Sequence, residues 1–395
     1  MPPLYYLGLC AIAKDETPFL KEWVGYHQYI GFEKIIIYDN ESAVPVRETI
    51  AEFFDSGVAD TYFIQGDAMQ LTAYNHCLKQ HGHEFEWLAF FDLDEFLCLK
   101  QDRDARVLMR DYEAYSGLSV NWDMFGSSGF LGRPQGLVTQ NYRQSLGYTV
   151  NSKCIVRPAR VKMPLSPHHF IFHEGISVNA DKRPAIGAYA PLAVDRVCLN
   201  HYSIRSQQDY EEKIRRGDAV YEEINPRSLL AFYSQAAQST VERGDILPLA
   251  AEVQKMLSHP PPKAKYAVSS MEVRQWPLPA LIKNITLLIK NSQKDWAEVL
   301  FALGWGLWKS IPEYLNVGIL LFRQLEKYDR ALSLARDLVA LTPDKEAYFT
   351  LLECLATAGE RKEAASVGDF LEEFASLDSE SEFGNKVRQY RLSCP

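Results

Sequence analysis

The stretch that most constrains this chain is Trp87-Leu-Ala-Phe-Phe-Asp-Leu-Asp-Glu-Phe-Leu97. Trp87 to Phe91 is an apolar run of the length and composition of a buried strand. It stops at Asp92, Asp94 and Glu95, and apolar residues resume at Phe96 and Leu97. Carboxylates at the end of a buried strand repel one another, and burial penalises their charge. A hard divalent cation relieves both costs and suits paired Asp oxygens. The carboxyl end of a strand is also where ligands bind in an open α/β sheet. The expectation is an Asp-x-Asp site for a metal and a phosphorylated substrate; the plain alternative is an acidic surface turn.

The segments around it alternate. A strand over 4–13 leads into Lys14-Asp15-Glu16-Thr17-Pro18, a helix start, and the spacing Phe19-Leu20, Trp23-Val24, His27, Ile30 predicts a helix ending at Gly31. Lys34-Ile-Ile-Ile-Tyr38 reads as a second buried strand closed by Asp39-Asn40-Glu41-Ser42. A helix near 46–54, a short strand near 60–64 and a helix over 70–80 precede the strand before Asp92. This order predicts a parallel sheet with right-handed crossovers. Three polar turns, at Lys14-Asp15-Glu16, Asp39-Asn40 and Asp92-Leu93-Asp94, then converge on one sheet edge, the geometry of a nucleotide site; taken singly, each of the first two is an ordinary turn.

At 395 residues, two or more domains are expected. A net charge of −9 argues against nucleic acid as a partner, because phosphate backbones require a basic face. The seven Cys are scattered, several in apolar runs and none as Cys-x-x-Cys, which suits reduced core thiols. The first residues lack a basic leader, and Lys14-Asp15-Glu16 cut the apolar segment short of a membrane span. A cytoplasmic protein is expected, with peripheral membrane contact left open.

Several blocks in a fixed order resemble a known family. Cys10 to Trp23, Gly25-Tyr-His27, Gly31-Phe32, Tyr38 to Ser42 and Phe91-Asp-Leu-Asp-Glu-Phe96 are similar to the opening of glycosyltransferase family 92 and its family-2-like bacterial relatives. Asn121-Trp-Asp-Met-Phe-Gly-Ser-Ser-Gly129, Lys153 to Pro158, and Asn200-His-Tyr202 continuing to Gly217 resemble its later blocks. The resemblance covers roughly residues 4–225. It implies a GT-A nucleotide-diphospho-sugar transferase fold, a Rossmann-like mixed sheet, and inverting sugar transfer from a UDP-sugar, UDP-galactose being the first candidate, to a glycan or glycoconjugate acceptor in surface polysaccharide synthesis.

The resemblance also implies roles. Asp94 and Asp92 would hold Mn²⁺ or Mg²⁺ against the donor diphosphate, and His201 would complete the metal shell. Asp39 would lie beside the nucleoside; Lys14, Asp15 and Glu16 would border its pocket, and Gln70 and Asn75 would touch the nucleotide. By composition alone, Arg205 to Arg216 is a solvated helix with Asp209–Lys213, Glu211–Arg215 and Glu212–Arg216 pairs at i,i+4. The family pattern instead sends Lys213 and Arg216 to the diphosphate, and Arg205 replaces its Lys with charge kept. An inverting reaction needs a general base, for which Asp123 and Glu174 are the two candidates. His168 and His173 flank an apolar strand-like segment and are expected to be structural or substrate-lining.

Beyond about residue 225 the pattern turns helical. His259-Pro-Pro-Pro-Lys263 and Trp276-Pro-Leu-Pro279 bracket a linker, which divides the chain into a transferase domain (1–225), a helical extension and linker (226–280) and an all-α C-terminal domain (281–395). Glu326 to Leu332 and Gly359 to Ala365 recur 33 residues apart at Ala331 and Ala364, and Pro343 follows the first unit's second helix. This resembles tetratricopeptide repeats, with an ordinary helical bundle as the alternative. Repeats would bind a partner protein or mediate self-association. Two other functional classes stay open: a nucleotidyl- or phospho-transferase, disfavoured by the lack of a Gly-x-x-x-x-Gly-Lys-Ser/Thr loop, and a non-catalytic nucleotide-binding adaptor.

Overall fold

The computed structural model describes residues 3–217, 227–258 and 276–375. The chain forms two compact units, Met1–Ser269 and Ser270–Pro395.

The first unit is a mixed α/β domain. In chain order it contains β1 (Tyr5–Ala13), α1 (Thr17–Tyr29), β2 (Lys34–Asp39), α2 (Val46–Thr49), α3 (Ala51–Asp55), β3 (Ala59–Phe63), α4 (Gln70–His81), β4 (Phe85–Phe90) and β5 (Glu95–Leu99). Then come α5 (Ala105–Arg110), β6 (Gly117–Phe125), α6 (Val138–Asn141), β7 (Gln144–Val156), β8 (Val161–Ser166), β9 (His169–Phe172), β10 (Ser177–Val178) and β11 (Val197–His201). It closes with α7 (Gln207–Arg216), α8 (Leu229–Gln238), β12 (Val241–Glu242) and α9 (Leu247–Ser258).

The ten-stranded sheet runs β3-β2-β1-β4-β7-β6-β11-β5, with β10 beside β6 and β12 beside β7; β8 and β9 pair separately. The four strands β3, β2, β1 and β4 are parallel, as the alternating pattern predicts. Beyond them the expected parallel sheet becomes mixed, because β7 lies antiparallel between β4 and β6, and β5 antiparallel to β11. The predicted helix over 46–54 is two short helices parted at Ile50.

Both sheet faces are covered, so the central strands are apolar on both sides, as parallel strands generally are. On one face Cys10, Tyr38, Tyr74, Cys77, Phe90 and Phe170 form a continuous core under α4. On the other, Trp23, Tyr26 and His27 of α1 pack against Phe32, Phe91 and Phe96. Pro18 sits in the first turn of α1, where its missing N–H costs nothing, and the chain leaves the helix at Gly31 with φ +104°. A Cβ there would stand 2.4 Å from the Asp104 carboxylate, so glycine is required.

The six described cysteines are buried free thiols, in keeping with their apolar surroundings in the sequence. Residues 229–258 belong to this unit rather than to a separate extension, because β12 pairs with β7 and α9 packs on α1. Of the bracketing breakers, His259 to Lys263 lie outside the described residues, and Trp276 to Pro279 lead into the next helix.

The second unit is all α: α10 (Leu278–Lys290), α11 (Lys294–Trp308), α12 (Pro312–Gln324), α13 (Tyr328–Leu341), α14 (Lys345–Ala358) and α15 (Arg361–Ala375). The later helices pack each on the next. Ala331 and Ala364, the recurring positions, are both buried. Pro343 ends the segment after α13, and Asp344 caps α14 by accepting from Ala347 N at 2.8 Å. No described helix is long and apolar enough to cross a membrane.

Candidate active site

The turn between β4 and β5 is Phe91-Asp-Leu-Asp, and its backbone carbonyls are held from several directions. Glu95 N closes the turn onto Asp92 O at 3.0 Å. The Trp23 indole of α1 donates to Asp92 O (3.1 Å) and Glu95 O (2.9 Å). Arg205 Nη2 donates to Leu93 O (3.2 Å), and Tyr202 N donates to Asp94 O (2.8 Å). A short turn fixed in this way presents its carboxylates in one orientation, which is the pre-organisation a binding site needs.

Each carboxylate has its own cation. Asp92 Oδ2 lies 2.9 Å from Lys153 Nζ, and its Oδ1 accepts from Gln70 Nε2 at 2.6 Å. Asp94 Oδ2 lies 2.5 Å from Lys213 Nζ, while its Oδ1 faces His201 Nε2 at 3.5 Å. Burial alone would raise the pKa of both acids; Lys153 holds Asp92 below its usual value, and Lys213 with His201 holds Asp94 well below it. Glu95 is wholly buried, and burial pushes its pKa well up despite Lys153. Its Oε2 accepts from Asp92 N at 2.8 Å, so it serves the turn rather than the cleft.

A second pair of charges braces the rim. Glu16 is 5% exposed and meets Arg205 Nη1 at 2.8 Å and Arg216 Nη2 more closely still. Burial raises the Glu16 pKa, but the two guanidiniums outweigh it and leave it lowered. Arg216 Nη1 also donates to Lys14 O at 2.9 Å. Arg205 adopts φ +50°, unusual for a side-chain-bearing residue, and is locked by Glu16, Leu93 O and the Phe19 ring 3.6 Å away. Phe19, Ser203, Arg205, Lys213, Arg215 and Arg216 line a cleft of about 450 Å³.

The strand-end loops of β1 and β2 are tied together. Asp15 Oδ1 accepts from Ala43 N (2.8 Å), and Asp15 N donates to Ser42 Oγ (3.1 Å). Asp39 spends both oxygens on the turn after β2, accepting from Ser42 N (3.0 Å) and Val46 N (2.9 Å). Gln70 reaches Asp92; Asn75, the residue after Tyr74 on α4, is half-buried and is not among the residues that touch it.

Neither general-base candidate bonds to this cluster, although Asp123 lies opposite Asn200 of β11, one residue from His201. Asp123 is 2% exposed and engaged by Ser145 Oγ and by Arg243 Nε at 2.9 Å, and burial raises its pKa. Glu174 follows β9 on an exposed loop, pairs with Arg160 at 3.1 Å and accepts from Ser116 Oγ through its carbonyl. Ser116 directly precedes β6, whose first residue lies level with Leu88 of β4 through Val156 of β7, so Glu174 is held short of the carboxyl end of β4 that leads to Asp92 and Asp94. His168 donates from Nδ1 to Ser152 O at 2.9 Å, and burial lowers its pKa to about 4; its ring and that of His201 both pack on Trp122.

For α7, the i,i+4 pairing expected from composition gives way to tertiary partners. Lys213 goes to Asp94, Asp209 closes the capping box with the N-cap Ser206 and binds Arg133, and Glu212 also binds Arg133. Among residues with no role assigned from sequence, Lys153 and Trp23 matter most. A Lys inside the apolar run Cys154-Ile-Val was the available signal for the first.

The donor chemistry fits a divalent cation at one place, between Asp94 Oδ1 and His201 Nε2. His201 Nδ1 is buried without a hydrogen-bond partner, so Asp94 is the polar group this ring faces. Asp92 is committed to Gln70 and Lys153. No three His, Cys, Asp or Glu side chains among the described residues form a cage, so a cation held here takes its remaining ligands from outside the protein, as Mg²⁺ does with substrate phosphates.

Residues 7–230 match the family model described as glycosyltransferase family 92. A family 92 protein of Ricinus communis is 27% identical over 231 residues, covering 55% of this chain and 38% of the relative. One of Oryza sativa subsp. japonica is 27% identical over 219 residues, covering 54% and 36%. The chain thus spans well under half the length of these relatives. Among solved structures, S. aureus TarS 1-349 in complex with UDP aligns with 12% identity and a TM-score of 0.32, covering 86% of this chain and 92% of that one. More than half of the sequence, the half that builds the sheet and its acidic turn, carries the family pattern, and the chain belongs to glycosyltransferase family 92.

Proposed function

We propose that this chain is a metal-dependent glycosyltransferase that passes a sugar, with inversion, from a UDP-sugar to a glycan or glycoconjugate acceptor in surface polysaccharide synthesis. The observation that carries the reading is Asp94, fixed in a rigid turn between His201 and Lys213 at the carboxyl edge of the parallel strands. That edge is where an open α/β sheet receives its ligand. Lys213 and Arg216 line the adjoining cleft and supply positive charge to a diphosphate; Arg205 and Glu16 hold Arg216 and the β1 loop in place. A Mn²⁺ or Mg²⁺ ion at Asp94 and His201 would stabilise the negative charge that grows on the departing nucleoside diphosphate.

The strand-end loops that border the cleft, with Asp39 at the turn after β2, would receive the nucleoside. A phosphoryl-transfer reading gains nothing from the structure, and an adaptor reading has to explain why four cationic side chains gather around Asp92, Asp94 and Glu16. In the helical unit, the serial packing of its later helices is compatible with a repeat array that binds a protein partner.

Incubating the protein with Mn²⁺, an oligosaccharide panel and UDP-galactose, UDP-glucose or UDP-N-acetylglucosamine tests the reading. A glycosylated product whose new anomeric bond is opposite to the donor's supports it. Retention of the donor configuration rejects the inverting course, and phosphorylated or nucleotidylated products reject sugar transfer.

A further inference from the structure

The acidic pair is neutralised by two lysines of different kinds. Lys153 is wholly buried in β7, between Asp92 and Glu95, so its ammonium has nowhere else to go. Lys213 is on the last turn of α7, its side chain 18% exposed, and it lines the 450 Å³ cleft together with Arg215 and Arg216. It holds Asp94 Oδ2 at 2.5 Å and donates to Ser203 O at 3.0 Å. The Asp94 oxygen it leaves is the one facing His201. An ammonium on the same carboxylate as a divalent cation repels it at short range, in surroundings that water screens poorly. Among the described residues that cation finds two donors, Asp94 and His201, and Lys213 has a flexible four-carbon stem with a route into the cleft.

We propose that Lys213 is an exchangeable stand-in for the cation. It neutralises Asp94 in the free protein and releases the carboxylate only when a diphosphate in the cleft gives its ammonium another partner. Cation and nucleoside diphosphate therefore bind as a coupled pair, each raising the affinity of the other by the same factor. Lys153, with no exit, stays on Asp92 throughout and keeps the turn in shape. This inference rests on the donor-site reading above and adds an order to it: the cation binds weakly until the diphosphate arrives.

The test is calorimetric titration of the full chain with MnCl₂, alone and in saturating UDP, for the natural protein, Lys213→Met and Lys213→Arg. The natural protein should bind Mn²⁺ at least about tenfold more tightly with UDP present, a coupling of about 1.4 kcal/mol. In Lys213→Met, Mn²⁺ affinity without UDP should rise about tenfold and the gain from UDP should shrink. Lys213→Arg, which keeps the charge, should behave like the natural protein, and matching circular dichroism spectra confirm that the variants are folded. Mn²⁺ affinity that is unchanged or lower in a folded Lys213→Met, with Mn²⁺-dependent UDP binding intact in the natural protein, overturns the stand-in role and leaves the donor site standing. Failure of the natural protein to bind UDP with any divalent cation overturns the donor site itself.

Discussion

Lys153 and His27 show how the interior sets the charge of single groups. Lys153 has no exposure and pairs with Asp92, whose side chain is 32% exposed, so removing its ammonium leaves the carboxylate at the head of the acidic turn without its cation. Breaking a buried pair from one side costs roughly 3–5 kcal/mol. Because water reaches Asp92, Lys153→Met should lower the unfolding free energy by less than that, roughly 1–3 kcal/mol in urea titrations, and weaken UDP binding; a loss under about 1 kcal/mol would mean the pair behaves like a surface one. His27 is equally buried, with Nδ1–H donating to Trp23 O at 2.8 Å and Nε2 unpartnered, and burial lowers its pKa from the usual 6.5 to about 3. Between those values the unfolded chain takes up a proton that the folded one refuses. Stability is thus full above about pH 6.5 and falls as pH drops towards 3, at up to about 1.4 kcal/mol per pH unit for one proton. Urea midpoints measured from pH 7.5 to 4.5 should show this decline, and His27→Phe should make it shallower; equal slopes would show that His27 does not titrate in this way. At this scale the acids were legible in the sequence, because Asp92 and Asp94 interrupt an apolar run. Their partners were not. Lys153 and Lys213 lie far along the chain, and a local reading pairs Lys213 with Asp209, the neighbour one turn away.

Elements put the side chains where they act. Helix α7 starts with a capping box in which Ser206 and Asp209 bond each other's backbone N–H, and it ends at Gly217 with φ +87°. Between those stops, Lys213 and Arg216 reach the turn and the cleft rim. Ser206→Ala should cost about 1 kcal/mol, the usual worth of such a cap, and reduce UDP affinity through fraying of the helix; a stability change near zero would show that Asp209 and Arg133 hold the helix without it. The strands β1 to β4 and the helices between them were legible because periodicity and turn residues agree. β5 was not, since Glu95–Leu99 follows directly on Asp94 and its partner β11 comes about a hundred residues later. The switch to antiparallel pairing at β7 is likewise a matter of long-range register, which no local pattern carries.

In the whole molecule, a chain of net charge −9 gathers Lys153, Lys213, Arg205 and Arg216 around the acidic turn and the neighbouring Glu16. The adjoining cleft is lined by Arg205, Lys213, Arg215 and Arg216 against Asp15, Asp209 and Glu212, a local excess of positive charge on an acidic chain. The order of family blocks along the sequence already pointed to the acidic turn, whereas the partition after residue 225 did not match, because α8, β12 and α9 complete the first unit's packing through β7 and α1. The all-α character of the second unit was legible from the change of pattern, although its separate helices were not delimited. The most direct measurement is calorimetric titration of UDP into the full chain and into Asp94→Ala, each with and without Mn²⁺. The account predicts binding that depends on Mn²⁺ in the natural protein and falls at least about tenfold, or about 1.4 kcal/mol, in Asp94→Ala; equal UDP affinity in both proteins, indifferent to Mn²⁺, would contradict it.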